Sequence, residues 1–137
     1  MGAVITTLGL VPLTASALGK TAIGTLSVHL FVNNITPDIT FINITATEMT
    51  MSGYAAINLT PASWSITSTG GICTATYPSI TFSMTTSTSQ TIFGYWIKDS
   101  VSGLGIWADT ISPSFTVPGS GGSFTLNLTL QDLNCSS

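Results

Sequence analysis

The amino-acid sequence predicts an all-β protein, a single antiparallel β-sandwich of jelly-roll or immunoglobulin-like type with an apolar N-terminal arm. Three observations point there. Apolar residues alternate with Thr, Ser and Asn at period two over short runs, turn residues recur every eight to twelve positions, and no stretch carries a sustained helical period. At 137 residues the chain is long enough to bury one real core, and two domains would each be marginal.

Residues 1–24 (MGAVITTLGLVPLTASALGKTAIG) read as the arm, with 25–137 as the sandwich domain. Ala15-Ser16-Ala17 imitates a signal-peptidase site, but the segment lacks a positive n-region and Pro12 interrupts its apolar part. It is therefore expected to be a retained arm that packs on a neighbour or on the domain's own sheet, with one helical turn over Thr14–Leu18. The first strand runs from Thr25 to Val32, with Leu26, Val28, Leu30 and Val32 on one face and Ser27, His29 and Phe31 on the other. Asn33 to Asp38 form a loop. A second strand is expected over Ile39–Thr47, a third over Tyr54–Leu59 and a fourth over Ser63–Thr67, after which Gly70-Gly71 turns the chain.

Ile72–Tyr77 is a weaker strand, separated by Pro78 from Ser79–Met84, where Ile80, Phe82 and Met84 align. Thr91–Lys98 (TIFGYWIK) has Phe93, Tyr95 and Ile97 on one face and Ile92 and Trp96 on the other, so both faces are apolar. A strand of that kind is central, covered on both sides. The turn from Asp99 to Gly103 pairs it with Leu104–Ala108 as a hairpin. Gly122–Leu130 closes the chain with the cleanest alternation, Phe124, Leu126, Leu128 and Leu130 against Thr125, Asn127 and Thr129. No repeat of 20–50 residues points to a solenoid or propeller.

Charge narrows the function. Only Lys20, Lys98, Asp38, Glu48, Asp99, Asp109 and Asp132 are charged, His29 is the one histidine, arginine is absent and the net charge is −3. Soluble domains carry roughly 25% charged residues, against 5% here, so the surface has little electrostatic protection against association. Nucleic acid and anionic membrane are poor partners for a chain with two cations, and nothing approaches a membrane-spanning apolar run.

Few residues can carry chemistry. A nucleophile–base–acid set would have to recruit His29, which lies in mid-strand between Val28 and Leu30 and reads as a hydrogen-bonded strand residue. One histidine and scattered acids give no recognisable metal set, leaving only a calcium site on backbone carbonyls with Asp38 or Asp99. Gly119-Ser120-Gly121-Gly122 precedes a strand and lacks the phosphate-loop pattern, so it is a flexible turn. The expectation is no enzyme, no cofactor, no metal and no catalytic residue. Trp64, Trp96, Trp107, Tyr54 and Tyr95 fit core or interface positions better than sugar-stacking platforms. The sequons at Asn34, Asn43, Asn58, Asn127 and Asn134 arise easily in so Thr/Ser-rich a chain, and Asn43 and Asn127 are expected inside strands. Cys73 and Cys135 are expected as free thiols, one of them buried, with a single bridge pinning the C-terminal tail as the alternative.

The succession SVHLFVNNITPD, MSGYAAINL and SQTIFGYWIKDSVSGLGIWAD, then a Ser/Gly turn and an alternating terminal strand, resembles a group of small tailed-phage virion proteins. The resemblance covers Leu26 to the C-terminus through Asn33, Asn34, Thr36, Pro37, Gly53, Tyr54, Ala55, Gly94, Tyr95, Asp99, Trp107 and Ala108, and LVPLTASALG is similar to that group's opening. Asp109 stands where Glu is usual, and surface charge is far lower. The resemblance implies a structural role: a capsid decoration (cement) protein over capsomer joints, bound to the major capsid protein or other virion subunits. A homo-oligomer, with a trimer favoured, and a virion location after assembly in the host cytoplasm follow from it. The alternatives are a tail- or fibre-associated component and a carbohydrate-binding adhesin.

Overall fold

The computed structural model describes residues 4–5, 18–20, 22–37 and 46–132, with the side chains of Val4, Ile5 and Asp132 left aside. Among the described residues ten strands fall into three antiparallel sheets. The largest has the order β1-β8-β7-β2-β3, built from β1 (Val4–Ile5), β2 (Leu26–Phe31), β3 (Ile57–Leu59), β7 (Gln90–Asp99) and β8 (Gly105–Val117). A second, β10-β5-β4, joins β4 (Ser65–Thr69), β5 (Ile72–Thr76) and β10 (Thr129–Asp132). The third pairs β6 (Ile80–Met84) with β9 (Gly122–Leu126).

The sheets pack against one another around one main core, which makes the protein an all-β sandwich. Val28 and Leu30 of β2, Ile92, Tyr95 and Ile97 of β7 and Val117 of β8 meet Phe82 of β6, Phe124 and Leu126 of β9, and Leu130 of β10. On the far side of the large sheet, Phe31, Trp96 and Ala108 form a second cluster with Ile35, Ala46 and Phe93 against it. Strand β7 is thus central and covered on both faces, as its two apolar faces require. At the edge of that sheet the arm contributes β1, with Val4 opposite Ala108 and Ile5 opposite Trp107.

Local sequence accounts for most boundaries. Gly70 and Gly71 take positive φ values of 61° and 80°, which lets a two-residue turn join Thr69 directly to Ile72; side chains with a Cβ resist that conformation. Pro61 starts a short 3-10 turn over Pro61–Ser63, so β4 begins at Ser65 rather than Ser63. Strand β3 is shorter than Tyr54–Leu59, because Tyr54 leaves the ladder and turns inward against Phe82, with ring centroids 5.9 Å apart.

The structure corrects the sequence reading in several places. Strand β8 runs on to Val117, past the expected Ala108; Ser112-Pro113-Ser114 hid it by breaking the alternation. Between Ile92 and Gly94 the partner strand advances from Phe115 to Thr110, so β8 bulges and the phase of β7 changes. Ile92 consequently joins Tyr95 and Ile97 in the main core, and Phe93 joins Trp96 in the second cluster, the reverse of the assignment from strict alternation. The run Gly122–Leu130 is two strands, broken at Asn127–Leu128, with β9 in one sheet and β10 in another. Its inward alternation nevertheless holds, since Phe124, Leu126, Leu128 and Leu130 are all buried.

Cys73 is disulfide-bonded, which overturns the expected free thiol. Asp132 lies directly opposite Cys73 across the β10–β5 ladder, so the chain leaves β10 beside that residue; Cys135, the other cysteine, lies outside the described residues. The expected strand over Ile39–Thr47 and the helical turn over Thr14–Leu18 fall largely outside them too. Of the former, Ala46 and Thr47 are described and are not in a strand.

Candidate functional site

Two polar arrangements stand out, one on each face of the large sheet. On the outer face, Ser27 and His29 sit two residues apart on β2, where the strand period puts them side by side. Ser27 Oγ lies 2.9 Å from His29 Nε2, and His29 Nδ1 lies 2.7 Å from Glu48 Oε1. The Tyr54 hydroxyl donates to the same Glu48 oxygen at 2.9 Å and accepts the Leu30 N–H at 3.0 Å. The imidazole stacks on Trp96, with centroids 4.9 Å apart and planes 18° from parallel.

Glu48 reaches this array because its segment runs along the end of β2. Val32 N–H donates to the Thr47 carbonyl at 2.8 Å, and Met49 N–H donates to the Leu30 carbonyl at 3.0 Å. Burial pushes the Tyr54 hydroxyl well above its ordinary range, so it stays protonated and remains a donor to Glu48. The connectivity Ser27–His29–Glu48 is that of a nucleophile, a base and an orienting acid. It also joins β2 to the segment around Glu48 and Tyr54, and that is the chemistry its surroundings favour: an imidazole flat against an indole, and an acid already sharing its oxygen with a phenol. Tyr54→Phe, which leaves the Leu30 amide without its acceptor, is expected to lower the unfolding free energy by about 1–2 kcal/mol. A urea titration checks this, and an unchanged midpoint would show that the array holds nothing together.

Asp99, the described member of the pair considered for calcium, is 1% exposed and already committed. Its Oδ1 accepts from the amides of Gly24 at 2.7 Å and Val101 at 3.3 Å, and its Oδ2 accepts from Ser102 at 2.9 Å. The carboxylate fastens the β7–β8 turn to the irregular segment that leads into β2. Asp38 lies outside the described residues, among which no group of three His, Cys, Asp or Glu side chains is placed to hold a metal. No helix of the described residues is long and apolar enough to cross a membrane.

The five aromatics weighed as sugar platforms do not form an open face. Trp96 is 4% exposed and stacked on His29, Tyr54 lies on Phe82, Trp64 meets Tyr77 edge-on at 5.1 Å, and Trp107 packs half-buried against the main core. Of the sequons, Asn34, Asn58 and Asn127 are exposed; Asn127 sits in the break between β9 and β10 rather than inside a strand, and Asn43 and Asn134 are outside the described residues.

Tyr95, the fifth aromatic, reaches the second arrangement. On the inner face a cleft of about 340 Å³ opens between the large sheet, at Tyr95, Asp109 and Thr110, and the chain facing it, at Asn127, Thr129 and Gln131. Tyr95 and Asp109 are direct cross-strand partners on β7 and β8, so they share a face by register. Burial pushes the Asp109 carboxyl above the usual carboxylate range, against the pull of the Thr110 amide, which donates to its Oδ1 at 2.8 Å. Burial and the nearby Asp109 charge together push the Tyr95 hydroxyl up as well.

Sequence reasoning placed Ser27 and His29 on one face but had no route to Glu48, nineteen positions away in an irregular segment. It likewise gave no hint that Asp109 and Asn127 face each other, because the bulge in β8 and the break before β10 create that cleft. No protein-family model matches the chain, and no curated protein matches it.

Proposed function

We propose that this protein is a non-enzymatic virion subunit, a capsid decoration protein that docks on the major capsid protein and associates with copies of itself as a trimer. The observation that carries the reading is the edge strand β4. All five of its residues, Ser65 to Thr69, are exposed and uncharged, Ile66 is 71% exposed, and among the described residues β4 is the edge strand of its sheet. Strand edges of proteins that stay apart are blunted by charge, proline or a bulge. Here none of these is present, and the strand is suited to pairing with another chain.

The placement of charge supports the same reading. Of the five charged residues with described side chains, only Lys20 is exposed; Asp99 is buried, and Lys98, Glu48 and Asp109 are partly covered. Exposed apolar side chains, Leu18 at 78%, Val101 at 60% and Phe115 at 39%, add to a surface with little to keep subunits apart. A disulfide at Cys73 suits a protein that works outside a reducing cytosol, as the exterior of a particle does. Tail- or fibre-association is the variant of the same reading in which the docking surface belongs to a different virion subunit.

The test is light scattering of the purified protein, followed by addition to particles stripped of it. A multiple of the 14.2 kDa chain mass and a raised particle disruption temperature are expected, both lost in Ile66→Lys. A wild-type monomer that binds no particle, or hydrolysis of ester substrates with fluorophosphonate labelling at Ser27, overturns the proposal.

A further inference from the structure

The cleft between β8 and the β9–β10 break holds polar groups that the fold leaves unused. Tyr95 is 3% exposed, yet its hydroxyl lines the cleft and has no hydrogen-bond partner among the described residues. Asp109 spends Oδ1 on the Thr110 amide and has no described partner for Oδ2. Asn127 accepts from Ser79 Oγ at 2.6 Å through Oδ1, which leaves its amide N–H groups as donors. Among the described residues the one buried side-chain polar atom without a partner is Trp96 Nε1, so the Tyr95 and Asp109 oxygens keep access to water and are open to a ligand that enters the cleft. A ligand that fills the cleft replaces that water with direct hydrogen bonds.

The lining selects the chemistry of the ligand. An ionised carboxylate only accepts, a carboxamide nitrogen only donates, and the hydroxyls of Tyr95, Thr110 and Thr129 do either. Neighbouring hydroxyl groups on a sugar ring offer the matching alternation of donors and acceptors. Ile111 and Leu126 complete the lining and give the C–H face of such a ring an apolar wall. An anionic ligand would meet Asp109 directly, and a cationic one would meet the donor groups of Asn127. The volume lies at the small end of the range for ligand sites, which fits one sugar ring.

We propose that this cleft is a binding site for a neutral carbohydrate, with one sugar ring held between Asp109, Tyr95 and Asn127. The site uses no residue of β4 and is independent of the assembly role. A virion subunit with such a site contacts glycans while docked on the particle.

The experiment is saturation-transfer NMR and calorimetry of the full chain with glucose, galactose, mannose and N-acetylglucosamine, each at up to about 10 mM, with ethanolamine and inorganic phosphate as comparison probes. At least one sugar is expected to bind, and Tyr95→Phe and Asp109→Asn are each expected to weaken it about tenfold. Tyr95→Phe removes a hydroxyl that holds no described group, so an unchanged urea midpoint separates lost binding from lost folding. Sugar binding that neither variant weakens overturns the proposal, as does preference for ethanolamine or phosphate. Silence from all four sugars overturns it equally.

Discussion

Asp99→Ala is expected to lose about 3 kcal/mol of unfolding free energy, which for this chain length lowers the melting temperature by roughly 10 °C. The carboxylate is buried and serves three amides at once, those of Gly24, Val101 and Ser102. Removing it frees the turn that reverses β7 into β8 and the segment leading into β2 together. Burial works against the charge, but the donors from Ser102, Gly24 and Val101 outweigh it and hold the carboxyl below the usual carboxylate range. A depressed folded-state pKa contributes stability that is present above the unfolded value, about 3.9 for Asp, and is lost as pH falls through the folded one. Asp109 runs the other way. Its carboxyl is raised in the folded state, so acidification through that value relieves a penalty rather than creating one. Urea midpoints of wild type and Asp99→Ala between neutral pH and pH 2 should therefore converge at the acid end. A constant gap across that range would show that the carboxylate's charge is not what holds the turn.

Gly94→Ala should cost about 3 kcal/mol, at the upper end of overpacking penalties. A methyl group at this position would run into the carbonyl oxygen of Asp109 and the ring of Phe31. Phe31 is fully buried and sits opposite Gly94 on β2, while Asp109 belongs to the neighbouring stretch of β8. Neither has room to retreat, one being backbone and the other locked in the second apolar cluster. Phe31→Leu made in the Gly94→Ala background should recover part of the loss, a coupling that a double-mutant cycle reads directly. A Gly94→Ala midpoint equal to wild type would mean that β7 and β8 can separate here at no cost.

Gly94 also marks where the sequence stopped being legible. Alternation along TIFGYWIK assigns Ile92 and Trp96 to one face, which holds only if the ladder is continuous. The bulge opposite Phe93 flips the phase, and its extra residues lie in the partner strand β8, where the run TIFGYWIK does not show them. Asp99 shows the opposite case. A polar turn between two apolar runs announced the hairpin, while the carboxylate's third amide, Gly24, lies seventy-five positions away. The His29 array divides in the same manner: Ser27 and His29 share a face by strand period alone, and Glu48 joins them only because its segment lies along the end of β2.

By itself the sequence determined that the chain is all-β, that β7 is central and that its surface is poor in charge, because period-two patterning, turn residues and composition are local properties that need no partner to read. Only the tertiary structure decided which strands share a sheet, that Cys73 is bridged, and that Tyr95, Asp109 and Asn127 border one cleft. Those depend on contacts between distant segments, and the energy of such contacts is set by register and bulge geometry, which residue type alone does not encode.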